Sequence, residues 1–288
     1  MRKIFFNIIM LLFAVTIFAC RSSDQTTGDT LVDDSTRIVS INGSITEILA
    51  DLGLEDQIVG VDVASTYPKS ILQKPKVGHS TKIAAEGVLG LDPDIVIGIN
   101  NEVSSVMKDQ LTSSGVKVLL FDQAYSVEGT KSLIASVTDS LGFKQRGDSI
   151  IQALDADLAE VKSLDDAAPK PKVLFIYARG TGTMMVGGDD TQAAKVIELA
   201  GGENAITGFA DYKPLTAEAL VAANPDVILL FSSGLESLGG AKGLLEVQGV
   251  KETNAGKNQK FVEMDGQFLT GFSQRLGKAV KELSEKIH

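Results

Sequence analysis

Only one cysteine, Cys20, stands in the 288 residues, so no disulfide can form within the chain and no metal site can be built from several cysteines. Tryptophan is absent, and histidine occurs twice, at His79 and at the terminal His288. A zinc or manganese site needs several histidines and carboxylates converging, which one internal histidine cannot supply; no free metal ion is expected. The same shortage, with no GxSxG elbow, removes the usual hydrolytic sets. A carboxylate-based extracytoplasmic hydrolase stays open only as a distant alternative, and the reading is of a protein that is not an enzyme. Positive charge is scarce too: 27 Lys and Arg face 37 Asp and Glu, a formal net charge of −10. So acidic a chain is a poor partner for nucleic acid, which is held mainly through Lys and Arg on phosphates.

Long apolar runs are equally few. Ile4 to Ala19 is the exception, interrupted only by Asn7 and Thr16 and preceded by Arg2 and Lys3. It is short for a membrane span and suits the core of a secretory signal. It ends in Ile17-Phe18-Ala19-Cys20, which resembles a bacterial lipobox, with Phe18 bulkier than usual there. Residues 1–20 are therefore expected to be a lipoprotein signal peptide and Cys20 the lipidated residue; a signal peptide with a chance cysteine is the plainer alternative. Residues 21–36 are polar and aperiodic and read as a flexible tether. Without Arg2 and Lys3 the net charge falls from −10 to −12.

The body carries an internal echo. Ala85-Glu86-Gly87-Val88-Leu89-Gly90-Leu91-Asp92-Pro93-Asp94-Ile95-Val96-Ile97 returns 132 residues later as Ala217-Glu218-Ala219-Leu220-Val221-Ala222-Ala223-Asn224-Pro225-Asp226-Val227-Ile228-Leu229. Each copy reads as a short helix, a Pro-Asp turn and a buried strand. Around the first copy, Arg37–Ile41, Ile58–Val63 and Val116–Phe121 read as further strands, with Ser44 and Glu47 as the capping box of a helix stopped by Gly53. Around the second, Val173–Ala178 and Lys260–Met264 are strands and Thr191–Ala200 a helix. Strands alternating with helices predict parallel sheets covered on both faces.

Between the halves, Phe143 to Leu164 places Ile150, Ile151, Leu154, Leu158 and Val161 at helical spacing, and Pro169 ends the segment. A helix of that length spans about 33 Å. The chain thus reads as an α/β protein of two Rossmann-like lobes with parallel sheets, joined by a single long helix, with a ligand cleft between them. The bounds are 37–142 for the N-terminal lobe, 143–168 for the connector and 169–288 for the C-terminal lobe. Arg179-Gly180-Thr181-Gly182-Thr183 fails the spacing of a phosphate-binding turn and reads as a cleft-lining loop.

At this point the motifs resemble a known family. Ser44-x-x-Glu47, Val59-Gly60-Val61-Asp62, Tyr67-Pro68, Val77-Gly78-His79, Ala85-Glu86-Gly87 and Pro93-Asp94 are similar to the periplasmic binding proteins of heme, cobalamin and siderophore ABC importers. Gly180-x-Gly182-x-Met184-Met185, Ala200-Gly201-Gly202-Glu203-Asn204, Tyr212-Lys213-Pro214-Leu215 and Gly271-Phe272-x-x-Arg275 resemble the heme branch. The resemblance implies an ABC permease-ATPase partner, docked through Glu86 and Glu218, one per lobe. Each glutamate also suits a helix N-terminus on its own, and Thr216 is a cap just before Glu218.

Heme, as transported ligand, needs only one or two axial ligands from His, Tyr, Met or Cys. His79 stands where the heme branch more commonly has tyrosine, and Tyr212 lies in nearly the equivalent loop of the other half. The two are the candidate axial ligands. A solvated surface histidine and a tyrosine packed on the cleft wall are the ordinary alternatives. Lys82 and Arg179 are candidates for the propionates, and Tyr67, Met185 and Phe272 for the ring. Cobalamin or an iron-siderophore is the alternative cargo; the anchored binding protein is expected to act as a monomer. A surface adhesion protein is the third class that the echo and the anchor leave open.

Overall fold

The computed structural model describes residues 31–79, 82–161 and 169–288. The expected signal peptide with Cys20, residues 21–30 of the tether and the end of the connector at 162–168 lie outside the described residues. Residues 31–36, read as the end of the tether, are instead part of the N-terminal lobe. Val32 is 5% exposed in the main core and the Leu31 N–H donates to the Leu141 carbonyl at 3.3 Å.

The first lobe runs β1 (Ile38–Ser40), α1 (Gly43–Asp51), β2 (Ile58–Val61), α2 (Ala85–Leu89), β3 (Ile95–Ile99), α3 (Ser105–Ser113), β4 (Lys117–Phe121) and α4 (Val127–Leu141). Its strands form one parallel sheet in the order β2-β1-β3-β4. Because side chains alternate across a strand, Ile38, Ile95, Ile97 and Ile99 enter one core with Ile48 and Ile134. Val39, Ile41 and Val96 enter another with Val88, Met107 and Leu111. Helices cover both faces, as continuous apolar strands require.

Helix α5 (Lys144–Val161) follows; Phe143 lies just before it, and residues 162–168 of the expected connector lie outside the described residues. Its buried stripe of Ile150, Leu154, Leu158 and Val161 joins the same core as α4 on one side and the last helix on the other. Burying each such side chain stabilises by about 1.5–3 kcal/mol.

The second lobe comprises β5 (Lys172–Ala178), β6 (Met184–Gly187), α6 (Gln192–Leu199), β7 (Glu203–Asn204), β8 (Tyr212–Pro214), α7 (Ala217–Ala223), β9 (Val227–Phe231), α8 (Ser232–Ser237), α9 (Gly240–Leu245), α10 (Asn254–Asn258), β10 (Phe261–Met264), α11 (Gly266–Thr270) and α12 (Leu276–Ile287). Its sheet runs β10-β9-β5-β6-β8, with β7 on β5. The expectation of an all-parallel sheet is corrected here: β6 pairs antiparallel with both β5 and β8. The cause is local. Arg179 to Thr183 is a hairpin turn, with the Arg179 N–H on the Thr183 carbonyl at 2.9 Å and Gly180 at φ 67.

The echo is structural. Asp92 and Asn224 both adopt left-handed backbone, at φ 48 and 41. Two residues on, the Asp94 carboxylate accepts from the Arg37 N–H at 2.8 Å and Asp226 from the Lys172 N–H at 3.0 Å. Each aspartate therefore ties its own strand to the start of the neighbouring one, β1 in one lobe and β5 in the other. One capping expectation is also corrected. Asn42, not Ser44, caps α1, accepting from the N–H groups of Ser44 and Ile45.

Candidate functional site

In sheets of this kind the carboxyl ends of the parallel strands open onto the ligand crevice. The N-terminal lobe contributes the loops after β1, β2, β3 and β4. Asp62, at the end of β2, is buried and accepts from the N–H groups of Ala64 and Ser65 and from the Ser65 hydroxyl, which fixes the loop carrying Tyr67. Burial pushes its carboxyl up, against those hydrogen bonds and Lys76. Tyr67 is 43% exposed.

His79 is exposed and follows Gly78, whose carbonyl accepts from Val63 at 2.9 Å and whose φ is 129. Lys82 is exposed one turn on, its N–H donating to the His79 carbonyl at 2.7 Å. Burial raises the Glu102 carboxyl; Asn42, bonded at 3.2 Å, lowers it, Asp62 raises it and His79 lowers it again. His79 therefore shares its electrostatic surroundings with Glu102, just past the carboxyl end of β3.

The C-terminal lobe contributes aromatic rings. Phe175 and Tyr177 alternate onto one face of β5; Tyr177 pairs with Met185 on β6, and Tyr212 with Gly187. Phe231 closes β9 on the same face, since Phe175 pairs with Leu229 two residues before it. The rings meet edge-on, Tyr212 at 6.4 Å from both Phe175 and Tyr177, and Tyr177 at 6.1 Å from Phe231. Tyr125, past the end of β4 in the other lobe, lies within the electrostatic reach of Tyr212. Burial first, then Asp211, Tyr177 and Tyr125, push the Tyr212 phenol up to about 12. The Arg179 guanidinium sits 5.6 Å from the centre of the Tyr177 ring.

The sequence-predicted residues thus fall into separate groups. Met185, Arg179 and Tyr212 come together around Tyr177; His79 and Lys82 lie on one turn of the other lobe. Phe272 is 1% exposed, in the core and edge-on to Tyr125 at 5.5 Å, so its ring is a packing element and not a free wall. Glu86 and Glu218 are exposed in the first turns of α2 and α7, with the Thr216 hydroxyl capping the latter at 3.1 Å. Glu86 borders a groove of 770 Å³ with Leu89, Asp109 and Gln110. Sequence reading missed Tyr177 and Tyr125. Their signal was position: each lies at or just beyond the carboxyl end of an apolar strand. Among the described residues no group of three or more His, Cys, Asp or Glu is placed to hold a metal ion, and no helix is long and apolar enough to cross a membrane.

Two α/β lobes, an intervening helix and a ring-lined edge between them define a two-lobed ligand-binding protein. Residues 38–268 match the model of the periplasmic binding protein family, and the chain belongs to that family. It is 29% identical over 280 residues to the ABC transporter substrate-binding lipoprotein YvrC of Bacillus subtilis, covering 96% of this chain and 86% of YvrC. A cobalamin-binding protein of Halobacterium salinarum is 30% identical over 214 residues, 70% of this chain and 56% of that one. Among solved structures, the periplasmic heme-binding protein RhuT of Roseiflexus superposes with a TM-score of 0.84 at 36% identity, over 88% of this chain and 98% of RhuT. The heme-binding protein HmuT does so at 0.78 and 31%, over 91% and 87%. HmuT has been solved with a histidine replaced by alanine, with a tyrosine so replaced, and with the arginine two positions after that tyrosine so replaced.

Proposed function

We propose that this protein is the extracytoplasmic substrate-binding component of an ABC importer and that its cargo is heme, bound between the lobes. The observation that carries the reading is the pairing of one internal histidine at the edge of one lobe with a cluster of phenols and a guanidinium at the edge of the other. Imidazole and phenolate are both axial ligands of heme iron, and cationic side chains suit the propionates. His79 is the ligand on one face. On the other, Tyr177 is favoured over the expected Tyr212. Tyr177 has the Arg179 guanidinium beside its ring and stands at the centre of the cluster, against Tyr212 and Phe231. Tyr177-Ala178-Arg179 is also the one Tyr-x-Arg in the chain, the spacing of the residues replaced in HmuT.

Met185 and Tyr67 flank the ring in this reading, and Lys82 and Arg179 meet the propionates. Glu86 and Glu218 dock the two lobes on the permease, and lipid on Cys20 holds the monomer at the membrane. Cobalamin is the second reading, favoured by the Halobacterium relative. Hemin and cyanocobalamin titrations of the protein lacking residues 1–20 separate the two. Saturable hemin binding with a defined Soret band, and none of comparable affinity for cyanocobalamin, is the expected result. Tight cyanocobalamin binding without a hemin complex overturns it.

A further inference from the structure

Two motifs remain unused by the ligand site, Ser44-x-x-Glu47 near one end of the chain and Gly271-Phe272-x-x-Arg275 near the other. The structure joins them. The Glu47 carboxylate, 1% exposed on α1, accepts from Arg275 Nε at 2.8 Å and from Ser273 Oγ at 2.6 Å, and its other oxygen takes the Arg275 Nη2. The same guanidinium lies 3.8 Å over the centre of the Tyr67 ring and 4.9 Å over Phe268. One turn earlier, the Gly271 carbonyl accepts from the Ser44 hydroxyl and from Gln123 Nε2, the latter at 3.0 Å. Phe272, at φ 50, then inserts against Tyr125. Gln267 packs where side chains on Gly43 or Gly271 would stand, 2.6 and 2.5 Å from the Cβ each would carry.

Apart from Arg275 over Phe268 and Gln267 against Gly271, which lie within segment 267–275, these contacts run from the loops and helix of the N-terminal lobe to that segment of the other. A buried carboxylate is tolerated only with its partners in place, so the closed arrangement is strongly specified and the open one leaves a charge without them. We propose that residues 271–275 form an interlobe clasp on α1, with Arg275 as a positioning residue, and that this clasp presets the span of the cleft before ligand arrives. Arg275 touches no ligand in this account; it acts through Tyr67 and, with Phe272, through Tyr125. The consequence for cargo rests on the heme reading, because a fixed span is what allows one ligand from each lobe to bracket a single iron.

The test uses the full chain in detergent with Cys20→Ser, spin-labelled at Ser113→Cys on α3 and Lys242→Cys on α9, by pulsed electron–electron resonance. The clasp predicts one narrow interlobe distance, unchanged on adding hemin. Arg275→Ala should broaden or lengthen it and weaken hemin binding about tenfold, since only a fraction of molecules then holds the competent span; the Soret spectrum should shift toward loss of one axial ligand. Arg275→Lys, which keeps charge but not the bidentate fork, should fall between. If Arg275→Ala does not fold, Arg275→Lys carries the test, and its distance distribution should still be broader than that of the parent. A narrow, unshifted distribution in these variants overturns the clasp. So does a broad one in the unaltered lobes without hemin. The distance measurement in ligand-free protein stands even if hemin proves not to bind, so the two failures are separable.

Discussion

Asp62 shows how a buried side chain carries a cost that its neighbours only partly offset. Its carboxyl is buried, and desolvation outweighs three hydrogen bonds and the field of Lys76, so its pKa lies above the ordinary 3.8. The folded state therefore holds the proton more tightly than the unfolded chain. Stability from this group is gained as pH falls through the window between the raised folded value and 3.8, and lost as pH rises through it. Asp62→Asn removes the titration but sets an amide NH2 against one of these donors, so in urea denaturation its stability relative to the parent should be most favourable at pH 7 and become less so toward pH 4. A relative stability that instead improves at acid pH contradicts the assignment. At this scale His79 could be singled out from the sequence as a candidate because histidine is so rare in the chain. Tyr177 was not, because a tyrosine near the end of an apolar strand looks like any core aromatic until the pleat shows which rings share its face. Glu47 was misread for a related reason. A capping box and an interlobe ion pair present the same Ser-x-x-Glu, and only the distant Arg275 distinguishes them.

Helices α4, α5 and α12 decide how the halves are held. The connector is packed on both sides, and at each contact a glycine lets the backbones approach. A Cβ on Gly147 would meet Thr138 Oγ1 at 2.1 Å, and one on Gly277 would meet the Asp157 Cβ at 2.5 Å and the Leu154 carbonyl at 3.0 Å. Gly277→Ala should therefore destabilise by about 1–3 kcal/mol through overpacking, although alanine is the better helix former by about 1 kcal/mol. Chemical denaturation measures it; a more stable variant would mean that α12 slides on α5 without cost. The strands and the connector were readable from sequence because apolar period and length specify them. The antiparallel β6 was not. Its four residues are too short for a period, and the glycines that turn the chain at Arg179 to Thr183 serve loops and hairpins alike. The repeated Pro-Asp units were readable because they recur in register 132 residues apart, although the bond each aspartate makes, to the start of the neighbouring strand, is distant in sequence.

Across the whole molecule, the lobes share one continuous core through α5 and a second junction through segment 267–275. Two junctions of this kind are what the proposed clasp and the proposed pair of ligands, one from each lobe, require. The most direct test is a hemin titration of the protein lacking residues 1–20, followed in the Soret region beside His79→Ala, Tyr177→Phe and Tyr212→Phe. The account predicts saturable binding, with His79→Ala and Tyr177→Phe each weakening it and moving the Soret band, and with Tyr212→Phe leaving the band in place. Saturable binding with the same spectrum in all three variants, or no binding by the parent, would contradict it.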